Sequence, residues 1–304
     1  MHIVVLDEPA VQQRLRYQDL IPAIADALAA LSAGRVVQPV RAVLPVAPHH
    51  GFFAVMPAYA GALGAKLVTF YPQNMGIHTH HAVIVLFKAE TGEPLAMMDG
   101  RLITEMRTAA ASAVATQRLA RADASVLAIL GSGVQARSHL AALRLVRSFT
   151  DVRVWSPRNA PAFAQRHGVK AAATAADAVR GADVVVVAAS STTPILQGRW
   201  LAPGTHVNAI GATRPDWREL DDDLVTTARV FVDSREAALR ESGDVIASRR
   251  GSEVTEIGAA VSGTDPGRRN AEEITLFKSV GVAVEDVAAA ALVLGDRSRE
   301  SGAR

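Results

Sequence analysis

The pattern of hydrophobic and polar positions divides the chain near residue 107. From about residue 125, short β-branched segments alternate with helical stretches, which is typical of a parallel sheet flanked by helices. The predicted strands are Val126 to Leu130, Val152 to Trp155, Asp183 to Ala188, His206 to Ile210 and Val230 to Asp233. The predicted helices are Gln135 to Arg147, Ala160 to Arg166 and Ala175 to Arg180. Four consecutive valines from residue 184 predict a strand buried on both faces.

The first hundred residues follow a different pattern, in which one helix precedes several extended segments broken by proline and glycine. The helix is predicted near Ile21 to Ala33, and the extended segments are Val36 to Val46, Phe52 to Met56, Lys66 to Tyr71 and Ala82 to Phe87. Near the end of the chain, Val280 to Leu294 predicts a strongly apolar helix that packs elsewhere or against another subunit. The expected fold class is α/β, with a Rossmann dinucleotide-binding domain and an additional α+β domain.

The first strand of the predicted parallel sheet runs into a glycine-rich turn and then into a helix. The turn is Gly131-Ser132-Gly133-Val134-Gln135, and Ala136 occupies the third small position of the dinucleotide fingerprint. The first glycine permits a tight bend, and the second lets the backbone approach a pyrophosphate at the helix N-terminus. Two glycines also occur in ordinary turns, but the strand, helix and second strand around them favour a dinucleotide cofactor.

The segment after the second strand bears on the choice of dinucleotide. An NAD site usually has Asp or Glu there, because the carboxylate accepts a hydrogen bond from the ribose 2′-hydroxyl. This chain has Ser156, Pro157, Arg158 and Asn159 instead, so that Arg158 can pair with a 2′-phosphate. We therefore expect NADP(H) to be preferred, with NAD(H) as the alternative if Arg158 is only a solvated loop residue.

Composition and charge exclude several classes of protein. A length of 304 residues favours two domains, and a formal net charge of +2 without a block of like charge argues against a nucleic-acid partner. The absence of cysteine excludes disulfides and thiolate metal sites. The sequence has no signal-peptide pattern and no apolar run long enough to span a membrane. The expectation is a soluble, cytoplasmic protein without a membrane partner.

Longer blocks resemble the ornithine cyclodeaminase and mu-crystallin family over almost the whole chain. The blocks are Val37-Gln38-Pro39-Val40-Arg41, Lys66 to Pro72, Met98 to Arg101 with Arg107-Thr108-Ala109-Ala110, Asn208 to Leu220, and Phe277-Lys278-Ser279. These blocks are long, ordered and specific, and they are most similar to the mu-crystallin, or ketimine reductase, branch.

The resemblance implies two domains with different roles. Residues 1–107 with 280–304 would bind a small imino- or amino-acid substrate and form a homodimer, and residues 108–279 would form an inserted Rossmann domain. The resemblance also implies the substrate-binding residues, which are Arg41, Lys66, His80, Arg107 and Thr213, with Lys66 and Arg107 as the catalytic pair. For the cofactor it adds four residues to those of the glycine-rich turn and of Ser156, Arg158 and Asn159, namely Thr108, Ser190, Gly211 and Thr213.

The implied substrate site is chemically reasonable. Two guanidinium groups can bind a carboxylate, and a desolvated lysine can supply a proton. Burying Arg41, Lys66 and Arg107 together is unfavourable without an anion, so an amino-acid-like ligand is the expected complement. The alternative is that each is an ordinary surface or paired cation.

Two positions depart from the cyclodeaminase pattern. Thr213 stands where that pattern has Asp, and a threonine hydroxyl neither acts as a base at neutral pH nor balances an ammonium group. Pro157 shifts Arg158 by one position, which leaves the contact of Arg158 with a cofactor open.

His78, His80 and His81 are spaced so that a strand could place two of them on one face. No acidic cluster accompanies them, so we expect no metal site, and the resemblance favours His80 as a residue of the substrate pocket.

The sequence and the resemblance together leave three functions to be considered. The first is NADPH-dependent reduction of cyclic imino acids such as pyrroline-2-carboxylate or piperideine-2-carboxylate to proline or pipecolate. The second is ornithine cyclodeamination, which converts ornithine to proline and ammonia with tightly held NAD. The third is NADPH-dependent binding of a small molecule without turnover, with an amino-acid dehydrogenase as a further alternative. The first is preferred because Thr213 disfavours the second.

Overall fold

The computed structural model describes residues 3–248 and 253–295. In chain order, the elements are β1 (Val4–Leu6), α1 (Glu8–Arg14), α2 (Tyr17–Ser32), β2 (Ala42–Val46), β3 (Gly51–Ala60), β4 (Ala62–Phe70), β5 (His80–Phe87), β6 (Pro94–Asp99), α3 (Arg101–Leu119), β7 (Val126–Leu130), α4 (Val134–Leu143), β8 (Asp151–Trp155), α5 (Ala160–His167), β9 (Lys170–Ala171), α6 (Ala175–Val179), β10 (Val184–Val187), β11 (His206–Ala209), α7 (Asp222–Thr227), β12 (Arg229–Val232), α8 (Arg235–Glu241), α9 (Gly243–Ala247), β13 (Thr255–Glu256), α10 (Ile257–Ser262), β14 (Thr275–Lys278) and α11 (Ala283–Leu294).

These elements form two compact units. Unit 1 contains the described residues up to Arg107 and from Val282 onward, and unit 2 extends from Thr108 to Gly281. The long helix α3 contributes its first turns to unit 1 and the remainder to unit 2. The substrate-binding and dimerisation roles expected of unit 1, and the cofactor-binding role expected of unit 2, remain predictions.

Unit 1 is built on a six-stranded sheet with the strand order β1-β6-β5-β4-β3-β2. Only the β1–β6 pair is parallel, and the other four pairs are antiparallel. Alternate residues of a strand point to opposite faces of the sheet, and Gly64, Lys66 and Val68 on β4 are buried. Helix α11 packs on β3, β4 and β5 and also contacts α2. The buried face of β4 therefore holds one charged residue, Lys66, among small and apolar neighbours.

Unit 2 is an α/β domain of the Rossmann type. Its eight strands are all parallel, in the order β13-β12-β14-β11-β10-β7-β8-β9. The chain leaves β7 toward β8 and β9, then returns to build β10 and β11 on the other side. In parallel sheets, ligands bind at the carboxyl ends of the strands beside such a reversal. We therefore expect a cofactor to bind at the loops that follow β7, β8, β10 and β11.

Most of the predicted parallel sheet is confirmed. The five strands predicted in this part correspond to β7, β8, β10, β11 and β12, and the four valines of β10 are fully buried, as a doubly covered strand requires. Strand β14, which lies between β11 and β12, was not predicted as a strand.

Other elements differ from the predictions for physical reasons. Helix α3 was not predicted. Its own small residues, such as Ala109 to Ala111, are buried, and the sequence shows no apolar stripe along one face of the helix. The extended segment from Val36 is mostly irregular: only Ala42–Val46 forms a strand, and Val37 makes an isolated bridge to Tyr59. Elements β1, α1 and β6 were also missed.

The apolar helix near the end of the chain begins at Ala283 rather than Val280. It packs on the sheet and on α2 of its own unit, so its apolar surface does not require another subunit. Of the two alternatives for this helix, packing within its own chain is therefore the one that the structure shows. Over the described ranges 3–248 and 253–295, we find no helix with the length and hydropathy that a membrane span requires.

Candidate functional site

A buried group of opposite charges lies in unit 1, where β4, α3 and α11 come together. The Lys66 ammonium lies 2.6 Å from the Asp286 carboxylate. Arg107 contacts Asp286 through Nε at 3.0 Å and Glu285 through Nη1 at 2.6 Å. All four side chains are buried. We call these four residues, together with Arg41, the charged cluster.

The two carboxylates belong to the first turn of α11, where the helix dipole favours negative charge. The N-terminus of α11 is held by Gln38, whose side-chain oxygen accepts a hydrogen bond from the Val284 N–H at 2.9 Å. Gln38 lies shortly before β2, in the same segment as Arg41. The chain thus places α11 so that Glu285 and Asp286 meet the cations of β4 and α3.

The charges of the cluster shift the ionisation of its members. Burial lowers the pKa of Lys66 to about 8, although Asp286 acts in the opposite direction. Burial also works against the charge on Asp286, but Arg107, Lys66 and Arg41 hold the pKa of its carboxyl below the ordinary value. At neutral pH the Lys66 and Asp286 side chains are therefore an ammonium and a carboxylate.

His80 begins β5 and lies close enough to the cluster to be affected by its charges. Burial is the main cause that lowers the pKa of His80 to about 4, and the positive charges of Lys66 and Arg107 lower it further. Its imidazole is therefore neutral at physiological pH, and it can accept or donate a hydrogen bond but cannot serve as a cationic acid.

Four residues that the sequence analysis assigned to the substrate come together in unit 1: Arg41, Lys66, His80 and Arg107. The reason given for a bound anion needs correction, because the protein supplies two buried carboxylates of its own. Within the cluster, the cations Lys66 and Arg107 lie beside the carboxylates of Asp286 and Glu285, which offset part of the buried positive charge. An amino-acid-like ligand with one carboxylate remains a prediction for this cluster.

Glu285 and Asp286 were missed from the sequence, where this segment was predicted only as an apolar helix. A signal was present, since two adjacent acids near the start of an otherwise apolar helix are unusual. Carboxylates in a buried helix are rarely left without a partner. The pair could therefore have been matched to the basic residues of the N-terminal blocks.

In unit 2, the glycine-rich turn has the local geometry of a phosphate-binding loop. Gly131 has φ +131, and a Cβ there would clash with the carbonyl oxygen of Ala188, so only glycine fits. Its N–H donates to the Trp155 carbonyl at 2.8 Å, which joins the ends of β7 and β8.

The second glycine leaves room for a ligand. Gly133 is the N-cap of α4, its position has no side-chain cap, and a Cβ there would meet no atom within 4 Å. Beside it, the Ser132 hydroxyl donates to Ser156 Oγ at 2.9 Å, and Ser156 Oγ accepts from the Asn159 N–H at 3.2 Å. Arg158 is exposed. A helix N-terminus with open space above a glycine suits the pyrophosphate of a dinucleotide.

A second buried group of charges contacts the loop after β11 and fixes its position. The Gly211 N–H donates to both oxygens of Glu219, at 2.9 and 3.0 Å, and the Lys278 ammonium lies 2.7 Å from Glu219. Asp244 lies 3.6 Å from the same ammonium and accepts from the Glu219 N–H at 3.0 Å. The pKa of Glu219 is raised, because burial disfavours its negative charge more than the Lys278 ammonium stabilises it.

The remaining predicted cofactor residues are distributed around unit 2. Thr213 follows Gly211 in the loop held by Glu219 and is partly buried, and Ser190 follows β10 and is exposed. Thr108 is a buried residue of α3. Val134 and Gln135 open α4, next to Gly133. The roles of these residues in cofactor binding remain predictions.

Two of the histidines near the start of β5 lie close to each other. His78 precedes the strand, and its ring lies 6.1 Å from that of His81 in an edge-on arrangement. In the part of the chain that the structure describes, no three His, Cys, Asp or Glu side chains are placed to hold a metal ion.

Comparison with known proteins gives matches over nearly the whole chain. The model of the ornithine cyclodeaminase/mu-crystallin family matches residues 1–301. The ketimine reductase mu-crystallin of Mus musculus is 48% identical over 302 residues, which cover 95% of each protein.

Two solved structures have the same fold over the full chain. The Thermococcus litoralis Delta(1)-pyrroline-2-carboxylate reductase, in complex with NADH and L-proline, is 36% identical with a TM-score of 0.93, over 99% of this chain and 98% of that chain. An archaeal alanine dehydrogenase dimer with bound NAD is 33% identical with a TM-score of 0.92, over 100% of this chain and 98% of that chain.

Proposed function

Because the chain belongs to the ornithine cyclodeaminase/mu-crystallin family, we propose that it is a nicotinamide-dependent reductase of cyclic imino acids. Its substrates are small rings with one carboxylate beside a C=N bond, such as pyrroline-2-carboxylate or piperideine-2-carboxylate. The products are proline or pipecolate. The names of the mouse and Thermococcus litoralis relatives, a ketimine reductase and a pyrroline-2-carboxylate reductase, support this reaction class.

The observation that carries the proposal is the charged cluster of unit 1. It gathers the basic side chains of Lys66, Arg107 and Arg41 in one largely buried place, which suits a substrate with a carboxylate. Arg41 and Arg107 bind that carboxylate, because guanidinium groups form strong charge-assisted hydrogen bonds with it.

Reduction of a C=N bond adds a hydride to carbon and a proton to nitrogen. Lys66 provides the proton at the imine nitrogen, because a buried ammonium whose pKa is about 8 is charged at neutral pH yet able to release its proton. His80, whose imidazole is neutral, lines the pocket as a hydrogen-bonding group.

The residues of unit 2 fit a nicotinamide dinucleotide, which supplies the hydride when it is bound. Gly131 and Gly133 let the backbone approach the pyrophosphate, and the N-terminus of α4 stabilises its charge. Ser132, Val134 and Gln135 lie in this turn and would hold the cofactor together with Ser156, Asn159, Thr108, Ser190, Gly211 and Thr213. Arg158 favours NADP(H) over NAD(H), because no carboxylate follows β8.

The direct test is the oxidation of NADPH or NADH by the purified protein in the presence of cyclic imino acids of both ring sizes. Loss of absorbance at the nicotinamide band should accompany formation of proline or pipecolate, identified by mass spectrometry. An open-chain 2-oxo acid with ammonia serves as the comparison substrate for an amino-acid dehydrogenase. If the open-chain pair is consumed and the cyclic substrates are not, the proposal is wrong.

The protein is further proposed to act as a homodimer through the sheet of unit 1. On the face opposite α11, Val5, Val83 and Met97 are 67%, 37% and 41% exposed. Val5 is paired with Met97 across β1 and β6, so the exposed apolar residues are neighbours. An apolar strip on one sheet face favours a second copy, and the archaeal alanine dehydrogenase relative is described as a dimer.

A further inference from the structure

We propose that Asp286 is a positioning residue for proton delivery: its ion pair keeps the Lys66 ammonium charged and fixed toward the substrate pocket. This inference rests on the proposed function, because the proton is needed only if the substrate is an imine. Glu285, its neighbour on α11, has a different task, which is to hold Arg107.

The contacts distinguish the two adjacent carboxylates. One Asp286 oxygen lies 2.6 Å from Lys66 Nζ, and the other accepts from Arg107 Nε at 3.0 Å. Glu285 accepts a hydrogen bond from Arg107 Nη1 at 2.6 Å. Asp286 therefore bridges the lysine of β4 and the arginine of α3, whereas Glu285 contacts the arginine. Lys66 has one further polar neighbour, the Thr104 hydroxyl at 3.5 Å.

The surroundings of Lys66 are otherwise unfavourable to an ammonium group. Burial is the main cause that lowers its pKa, and the positive charges of Arg107 and Arg41 lower it further. The charged groups that act on it are Asp286 on α11, Arg107 on α3 and Arg41 before β2, and His80 on β5 is also near enough to be affected by its charge. Asp286 opposes the effect of burial and of the two arginines and raises the pKa of Lys66.

Removing the Asp286 charge changes the ionisation of Lys66 in a definite direction. With Asp286 in place, the pKa of Lys66 is about 8, and the side chain is mostly protonated at neutral pH. Replacing Asp286 by Asn removes the negative charge but keeps the shape, so the pKa of Lys66 falls. Above that lower pKa, Lys66 is a neutral amine and cannot give a proton to the imine nitrogen.

The first readout is the titration of Lys66 itself and does not depend on activity. The chain has four lysines, Lys66, Lys88, Lys170 and Lys278, so protein labelled with ¹³C at the lysine ε-carbon gives few NMR signals. The Lys66 signal is assigned by its loss in Lys66→Met. We expect its titration midpoint to lie at lower pH in Asp286→Asn than in the native protein.

The matched control is Glu285→Gln, which removes a buried charge from the same helical turn. It should leave the Lys66 midpoint much closer to the native one and should raise KM for the imino acid through Arg107. A surface variant of unit 1, Asp26→Asn on α2, controls for the loss of any negative charge, because Asp26 is exposed. If Asp286→Asn does not fold, Asp286→Ser removes the same charge with less bulk.

The second readout is kcat/KM as a function of pH. The native protein and Asp286→Asn should converge at acidic pH, where Lys66 is protonated in both. At alkaline pH the variant should be slower by about tenfold for each pH unit that separates the two midpoints. A carboxylate that only supports the fold would instead lower activity at every pH.

The outcomes separate this inference from the function on which it rests. An unchanged Lys66 midpoint in Asp286→Asn, or an equal fall in Glu285→Gln, would overturn the role of Asp286. A lowered midpoint with a displaced pH profile supports it. If the native protein reduces no cyclic imine at any pH while the midpoint still depends on Asp286, the proposed function fails and the Lys66–Asp286 coupling stands.

Discussion

Lys278 on β14 and Glu219 in the loop before α7 form an ion pair of 2.7 Å, and both side chains are fully buried. The same Glu219 carboxylate accepts the Gly211 N–H, in the loop that is proposed to contact the cofactor. A charge pair of this kind is expensive to bury, so its position behind the Gly211 loop indicates a role in fixing that loop.

Lys278→Met should strongly destabilise the protein, because it leaves Glu219 and Asp244 as buried acids without the ammonium. Breaking a buried ion pair on one side costs about 3–5 kcal/mol. Chemical denaturation of the native protein and the variant measures the loss. The matched control is Lys170→Met, because Lys170 also contacts an aspartate of unit 2, at 2.9 Å, but is 74% exposed. That change should cost less than about 1 kcal/mol, and equal losses in the two variants would refute the argument.

Arg158→Ala should reduce the preference for NADPH over NADH. The native segment after β8 has no acid, and the exposed Arg158 can pair with a 2′-phosphate. Loss of such a pair costs about 1.5 to 3 kcal/mol in binding, so kcat/KM with NADPH should fall by roughly ten- to a hundredfold while NADH is little affected. Arg166→Ala, an exposed arginine on α5, is the control. Equal efficiencies with both cofactors in the native protein, unaltered by the substitution, would reject the NADP(H) assignment.

Met97→Lys should disrupt the proposed dimer. It places a charge in the middle of the exposed apolar strip formed with Val5 and Val83, and an unpaired charge buried in an interface is unfavourable. Light scattering at micromolar concentration should give the mass of two chains for the native protein and a smaller mass for the variant. Leu145→Lys replaces a residue of unit 2 that is 49% exposed and should leave the native mass unchanged. A native protein that is monomeric and active would contradict the dimer.

The parts of the fold that could be predicted are those in which local chemistry is decisive. The β7 turn needs Gly131 because backbone approaches it, and β10 needs valines because both faces are covered. Helix α3 could not be predicted in this way, since its buried alanines carry no periodic signal. The same limit applies to side chains that meet across the fold. Lys66 and Asp286 are 220 positions apart, and only their packing brings them together.

The resemblance supplied the cations of the candidate site, but not the acids that partner them. Arg41, Lys66 and Arg107 lie in recognisable blocks, whereas Glu285 and Asp286 lie in a helix whose composition is otherwise apolar. Charge balance within the site therefore depended on the structure. In the structure, Glu285 and Asp286 already offset part of the positive charge that the sequence argument had left to a ligand.

Thr213 bears on which reaction the protein catalyses. Thr213 stands where the cyclodeaminase pattern has Asp, and its hydroxyl cannot take a proton from a substrate amine at neutral pH. The native protein should therefore reduce a cyclic imino acid with NADPH and release little ammonia from L-ornithine.

Two substitutions in the charged cluster test the same reaction from the substrate side. Lys66→Met and Arg107→Met should each lose most of the reductase activity, because each removes a cation that contacts a buried carboxylate, Asp286 or Glu285. The loss of transition-state binding should be a few kcal/mol, or roughly two orders of magnitude in rate. Lys88→Met, a lysine of unit 1 outside the cluster, is the control for removing a positive charge. Robust ammonia release from L-ornithine without imine reduction would overturn both the argument from Thr213 and the proposed function. It would mean that deamination proceeds with a hydroxyl in place of the carboxylate.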